Sequence, residues 1–317
     1  MHSRSATSRA TSQRLTTLKR PATVAGTGVH GGRPATLTIH PATAGAGVTF
    51  ARLDVAGAAI PARFDAVTRT DHSTVLGDPR RDGVATIEHV MAALHGLGVD
   101  DAHVEVHGPE TPIGDGSSAP FVEAILDAGL VASDAPRRFI KVMRTVRHED
   151  GAGFAEWSPA ESGFHLDVSI DFAHPAIGRQ RLALAVTPDS FARGLARART
   201  FGFLKDLERL TAAGLALGAS LDNCVALDGE RVLNQGGLRF ADEFVRHKAL
   251  DALGDLALAG APIVGRYRAH LPGHALNNRA LRALMGAADA WRPVFARPLA
   301  APAGEVVAAA ALVAEGA

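Results

Sequence analysis

Apolar positions along the chain follow two periods. A period of two runs through AHVEVHG at 102–108 and HLDVSIDF at 165–172, as in half-buried strands, where successive side chains leave opposite faces of the ribbon. A period near 3.6 runs through 86–97, 119–129, 188–199, 240–260 and 277–289 and predicts helices. In the first of these, Val90, Met91, Leu94 and Leu97 form a stripe; in the fourth, Leu250, Leu253, Leu256 and Leu258 do the same. Both helices are therefore expected to be rigid and half buried. Strands followed by helices, twice over, give an α+β layered architecture. The boundary between the halves is placed at Ser133-Asp134-Ala135-Pro136, where helix-like VEAILDAGL gives way to polar residues and a proline before strand-like RRFIKVMRTVRHE. This predicts a first domain over 14–133 and a second over 137–300.

Composition narrows the class. With 317 residues, 47% of them hydrophobic, the chain is long enough for two packed domains. A formal net charge of zero argues against a nucleic-acid partner, which calls for a basic face. The single cysteine, Cys224, excludes an intramolecular disulfide framework and fits a reducing cytoplasm. No apolar run reaches the ~18 residues that span a bilayer, so no stable membrane insertion is expected. Residues 1–13, rich in Arg, Ser and Thr without acids or an apolar h-region, read as a disordered tail. Residues 301–317 read as an Ala-rich tail. The glycines of GTGVHGG at 26–32 lack the P-loop ending and Rossmann spacing and read as a turn between strands. In PIGDGSSAPF, Ser117 and Ser118 are placed to cap the following helix, and no G-x-S-x-G elbow is present.

The candidate chemistry lies on the two striped helices. Glu88-His89 opens one, and His247-Lys248-x-x-Asp251 lies on the other. Residues i and i+4 share a helix face, so His247 and Asp251 can grip one ion while His89 supplies a third ligand. Three protein ligands leave one coordination position open, as in catalytic zinc, and Glu88 adjoins a ligand, where it could take a proton from water. Among 14 histidines, an isolated H-x-x-x-D is a weak signal and fits better a pair of hydrogen-bonded helix histidines and a solvated aspartate. The apolar stripes on both helices favour the metal.

Longer motifs carry a resemblance. Thr17-Leu18-Lys19-Arg20-Pro21, GTGVHGG, the whole of TIEHVMAALHGLGVDDAHVEVHGPETPIGDGSSAPF from Thr86 to Phe121, Asp171-Phe172-Ala173-His174-Pro175, ARARTFGF at 196–203, RVLNQGGLRFADEFVRHKALDALGDL and Gly273-His274-Ala275-Leu276-Asn277-Asn278 occur in this order. The chain thereby resembles the zinc-dependent UDP-3-O-acyl-N-acetylglucosamine deacetylases of bacterial lipid A biosynthesis. The resemblance implies two similar domains, each a β-sheet on a pair of α-helices, with the helices sandwiched between the sheets and the active site at their junction. It implies Zn2+ held by His89, His247 and Asp251, with Fe2+ as another metal suited to these ligands. Glu88 would be the base and His274 the protonated acid. Lys248 and Thr200 would be oxyanion donors, and Asp255 would orient His274.

The same resemblance places an acyl passage in the insertion from Phe201 to Cys224, with Phe201, Phe203 and Leu217 among its greasy residues; leucines so spaced would fill an ordinary core as well. Phe172 would stack on uracil and Asp206 would meet the sugar nucleotide. The chain departs from relatives at Leu271-Pro272, where a basic residue can precede Gly-His, at Ser73 in place of a cysteine, and at Gly153 in place of a lysine. Arg266, Arg268 or His270 could compensate for the first. The expected partner is a UDP-linked acylated glucosamine substrate, acted on by a cytoplasmic monomer. A zinc hydrolase of another N-acyl sugar and a nonhydrolytic sugar-nucleotide binder are the other two readings.

Overall fold

The computed structural model describes residues 13–296. The tail readings therefore lie outside the described residues, Gln13 apart. The described chain is α+β, with six α-helices of seven residues or more and several sheets. A five-stranded sheet runs in the order Ala22–Thr27, Pro34–Pro41, Ala102–His107, Val48–Arg52, Ile60–Pro61, antiparallel except between Ala102–His107 and Val48–Arg52. A seven-stranded sheet is centred on Ile263–His270, which pairs antiparallel with Gly153–Ser158 and parallel with Phe164–Phe172. Both alternating segments are strands, and the inward residues Val104, Val106, Leu166, Val168 and Ile170 are buried.

The helices are α1 (Glu88–Leu97), α2 (Ala119–Ala128), α3 (Pro188–Gly194), α4 (Leu204–Ala212), α5 (Glu243–Ala257) and α6 (His274–Gly286). Helix α1 stops at Gly98, whose φ of 80° lets its N–H reach the carbonyls of His95 and Leu94. Helix α3 begins in a Thr187/Ser190 capping box and ends at Gly194, five residues short of the predicted span. The chain turns inward there, because Leu195 and Ala196 both bond back to Phe191 O. Helix α6 begins three residues earlier than its apolar period indicates, since Gly273 is the N-cap. Helix α4, within the insertion expected to form the acyl passage, is an element that the apolar period does not predict. RRFIKVMRTVRHE is two strands, Arg138–Val142 and Val146–Asp150, and Ser133–Pro136 is strand rather than loop, paired with Arg14–Leu18.

Helices α1 and α5 pack along each other, α2 packs on α1 and strand Ala22–Thr27, and α6 packs on α5 and strands Val146–Asp150 and Gly153–Ser158. Helix α5 also covers strands Phe164–Phe172 and Gly178–Val186. The half-buried expectation for α1 and α5 is corrected: every α1 residue but His95 is buried, as are thirteen of the fifteen in α5. Small residues on the reverse faces, Ala92 and Ala93 on α1 and Ala249, Ala252 and Gly254 on α5, make the second contact surface that a stripe of large residues does not reveal. At Gly254 the approach is closest, for a Cβ there would lie 2.0 Å from Glu88 O. Among the described residues no helix is long and apolar enough to cross a membrane.

Candidate active site

The close contact of α1 with α5 decides what meets. The first turn of α1 presents Glu88 and His89, while one face of α5 presents His247, Asp251 and Asp255 at four-residue steps. The first residue of α6 is His274. One ligand atom from each of His89, His247 and Asp251 lies within 4.8 Å of the others, and all three residues are buried. His247 Nε2 is 3.3 Å and His89 Nε2 3.6 Å from Asp251 Oδ1. That oxygen is buried without a hydrogen-bond partner, which is costly unless something else neutralises it. Meanwhile the other oxygen, Oδ2, accepts from Lys248 Nζ at 2.8 Å.

The protonation states suit a cation. His247 Nδ1–H donates to Ala198 O at 3.0 Å, leaving Nε2 as the free electron pair, and burial pushes the ring down to about 4, so it is neutral. Burial opposes the charge on Asp251, but His247 and Lys248 outweigh it and hold the carboxyl well below the usual range. The neutral His247 imidazole, the His89 ring and an ionised, orphaned carboxylate oxygen are a donor set that a divalent metal fits.

Beside this set stand an acid and a base. Burial raises the Glu88 carboxyl above its ordinary value, opposed by His274 and His89. His274 would be lowered by burial, but Asp255 and Glu88 overcome this and lift it to about 10. Its Nδ1–H donates to Asp255 Oδ2 at 3.0 Å, and its Nε2 lies 3.9 Å from Glu88 Oε1. Burial also opposes the charge of Lys248, yet Asp251, Asp255 and Glu88 together raise its pKa.

Several residues of this architecture carry no recognisable signal in the sequence. Asn277 Nδ2 donates to Asp255 Oδ2 at 2.8 Å and is oriented by Tyr267 Oη, which donates to Asn277 Oδ1 at 2.8 Å. The Glu110 carboxylate accepts from the N–H groups of His30 and Gly31 and from Thr86 Oγ1, each at 2.9 Å, tying the 28–33 loop to the start of α1. Thr86 has φ of 61°, a strained value for a β-branched residue. Ser118 does not cap α2 with its side chain; its Oγ donates to His89 O at 2.7 Å, while Ser117 Oγ accepts from Ala119 N. The 26–32 glycine stretch joins two strands as a turn.

A cavity of about 570 Å³ opens on these groups. Glu88, His89, His247, Lys248, Asp251, His274 and Thr200 are in its lining, with His30 and His72, which the sequence reading did not single out. Phe201, Phe203, Leu204, Leu207, Leu210 and Cys224 are apolar parts of the same lining, and the Phe201 ring is 6.4 Å from that of His247. Burial lifts the Cys224 thiol to about 11, so it is a small apolar wall residue at neutral pH. Phe172 is outside the lining and meets Phe201 edge-on at 5.8 Å. Asp206 is on α4 and pairs with Arg209 at 3.4 Å, away from the lining. Leu217 is 54% exposed and outside the lining, its N–H donating to His30 O at 3.0 Å. None of Arg266, Arg268 and His270 lines the cavity; His270 is held by Ser169 at 2.9 Å and Arg268 lies over Phe154.

Comparison with known proteins agrees over nearly the whole described chain. It is 47% identical over 278 residues to the UDP-3-O-acyl-N-acetylglucosamine deacetylase of Pasteurella multocida, covering 87% of this chain and 91% of that one. It is 48% identical over 282 residues to the enzymes of that name from Brucella ovis and Brucella canis, covering 88% of this chain and 98% of each. Residues 15–286 match the family described as UDP-3-O-acyl N-acetylglycosamine deacetylase, and the chain, with a His/Asp group between α1 and α5 that could hold a metal, belongs to that family.

Proposed function

We propose that this protein hydrolyses the N-acetyl amide of UDP-3-O-(3-hydroxyacyl)-N-acetylglucosamine, releasing acetate and the free amine, as a zinc-dependent step of lipid A biosynthesis. The observation that carries the reading is one buried arrangement: the orphaned Asp251 Oδ1 between two imidazoles, with Glu88 and His274 facing each other 3.9 Å apart in the lining of a greasy cavity. A divalent ion held by His89, His247 and Asp251, Zn2+ or also Fe2+ by ligand type, supplies Lewis acidity to the amide carbonyl and acidity to water.

The chain's own residues do the rest. Glu88, raised by burial, takes the proton from water as its oxygen attacks the amide carbon. The Lys248 ammonium and the Thr200 hydroxyl stand at the cavity wall, where charge develops on the carbonyl oxygen. His274, charged and anchored by Asp255, gives the Nε2 proton to the departing nitrogen as the C–N bond breaks. Phe201, Phe203 and the α4 leucines are the wall for the 3-O-acyl chain. Phe172 and Asp206 belong to the nucleotide end, reached outside the cavity proper.

The chain's architecture is read as two similar domains, 14–133 and 137–300, each a sheet on two helices with the helices between the sheets. Support comes from α2 packed on α1 and on strand Ala22–Thr27, from α5 and α6 packed on strands of the seven-stranded sheet, and from the α1–α5 contact between the halves. The protein is read as a cytoplasmic monomer without a nucleic-acid partner. Acetate release from the UDP-linked substrate, abolished by chelation and restored by zinc, is the test; no release from zinc-loaded protein overturns the reading.

A further inference from the structure

Thr74 lies in the loop before strand Val75–Leu76 and is 1% exposed. All three of its polar groups are committed. Its carbonyl oxygen accepts from Ile87 N, the residue preceding α1. Its N–H donates to Glu88 Oε2 at 3.0 Å, and its hydroxyl donates to Asp255 Oδ1 across 181 positions of sequence. The two carboxylates repel each other, and ionised carboxylates only accept hydrogen bonds. Thr74 therefore places two donors from one rigid residue between the two negative groups that flank His274. The loop is held under strain, with His72 two residues earlier at φ of 65°.

We propose that Thr74 is a positioning residue that sets the spacing of the base Glu88 and the acid His274, holding the first directly and the second through Asp255. Three donors then satisfy Asp255: Thr74 on Oδ1, and His274 and Asn277 on Oδ2. With both oxygens held, the carboxylate cannot rotate, and His274 Nε2 stays aimed at the gap in front of Glu88. Threonine suits the task better than serine because its branched Cβ limits χ1 and fixes the hydroxyl's direction.

The inference rests on the base and acid roles given above. In zinc-loaded protein, Thr74→Val keeps the shape and the N–H but removes the hydroxyl; kcat should fall ~10-fold or more with KM within about threefold, since small misplacement of reacting groups is costly in rate. Thr74→Ser should recover kcat to within about fivefold of wild type. The Val penalty should shrink roughly threefold or more in an Asp255→Ala background, which has no side-chain acceptor for the Thr74 hydroxyl, as expected of residues acting through one contact. Should Thr74→Val not fold, Thr74→Cys, similar in size with a weak donor, takes its place. A Val variant within twofold of wild-type kcat, a Ser variant no better than Val, or an undiminished penalty overturns the proposal, even if melting temperature falls. A thermal-unfolding cycle between positions 74 and 255 on metal-free protein reads the contact without turnover, and absence of coupling there also overturns it. Wild-type protein that releases no acetate defeats the proposed function with it, whereas active wild type with an indifferent Thr74→Val defeats this inference alone.

Discussion

Asp255→Asn isolates charge from geometry. In the folded chain, Asp255 Oδ2 accepts from His274 Nδ1 and Asn277 Nδ2 while Oδ1 accepts from Thr74. An asparagine can put its carbonyl oxygen at the first place and its amide at the second, donating to a rotated threonine hydroxyl, so each contact survives. The negative charge does not. Asp255 is the largest influence raising His274 to about 10, against burial that would lower it. Without it only Glu88 and Asp251 oppose burial, and the ring moves down from about 10 towards the ordinary imidazole range. A ring at the ordinary value of about 6.5 is only ~3% imidazolium at about pH 8, against nearly all in the wild type, so kcat should fall by up to ~30-fold. At about pH 6 most rings are charged in either protein, and the deficit should shrink to a few-fold. Acetate release measured across pH on zinc-loaded protein reads this as an alkaline limb displaced downward. Stability carries the same sign. A folded pKa above the unfolded one stabilises fully below about pH 6.5 and loses that contribution as pH rises through about 10. The variant's melting temperature should therefore vary less over that window. An equal deficit at both pH values would refute a charge role for Asp255 and leave it only a structural one.

Three further outcomes test other parts. Gly254→Ala sets a methyl against Glu88 O and should cost about 2–3 kcal/mol or more through overpacking between α1 and α5, a melting loss of several degrees; an unchanged melting temperature would mean the helices are not held so close. Chelation should abolish acetate release and lower the melting temperature, and Asp251→Asn should weaken zinc binding at least tenfold, read by competition with a chromophoric chelator; undiminished binding removes Asp251 from the ligand set. Replacing the substrate's long 3-O-acyl chain by acetyl should lower kcat/KM by ~100-fold or more, since each buried methylene contributes about 0.8 kcal/mol; equal kinetics would point to a different N-acyl sugar.

What the sequence makes legible here follows the range of the forces involved. His247, Asp251 and Asp255 are readable as one set because a helix puts i, i+4 and i+8 on one face, whatever packs against it. The strands at 102–108 and 165–172 are readable for the same local reason, with a period of two in place of 3.6. The errors occur where a neighbour distant in sequence decides. Helix α3 stops at Gly194 because the following residues turn in towards Phe191, and that turn carries Ala198 O to the His247 ring. Leu217 reads as greasy lining, but it is exposed and outside the cavity, because its N–H is tied to His30 O in the neighbouring loop.

Burial itself has the same cause. A stripe of leucines announces one buried face; that α1 and α5 are buried nearly all round depends on alanines and Gly254, which are unremarkable in any helix until a second helix is known to lie 2.0 Å from the missing Cβ. The buried donor cluster could therefore be gathered from sequence, while the groups that hold Asp255 in place could not. Thr74 and Asn277 bond to Asp255 from two separate elements, and Tyr267, on a third, holds Asn277; nothing in DHSTVLGD separates a threonine bonded to two carboxylates from one in an ordinary turn. A metal site needs only a few donor atoms of the right type, which periodicity can gather; an acid held charged beside a base held ready for protons needs a buried network fully satisfied from several directions, and such a network exists only once the fold has closed around it.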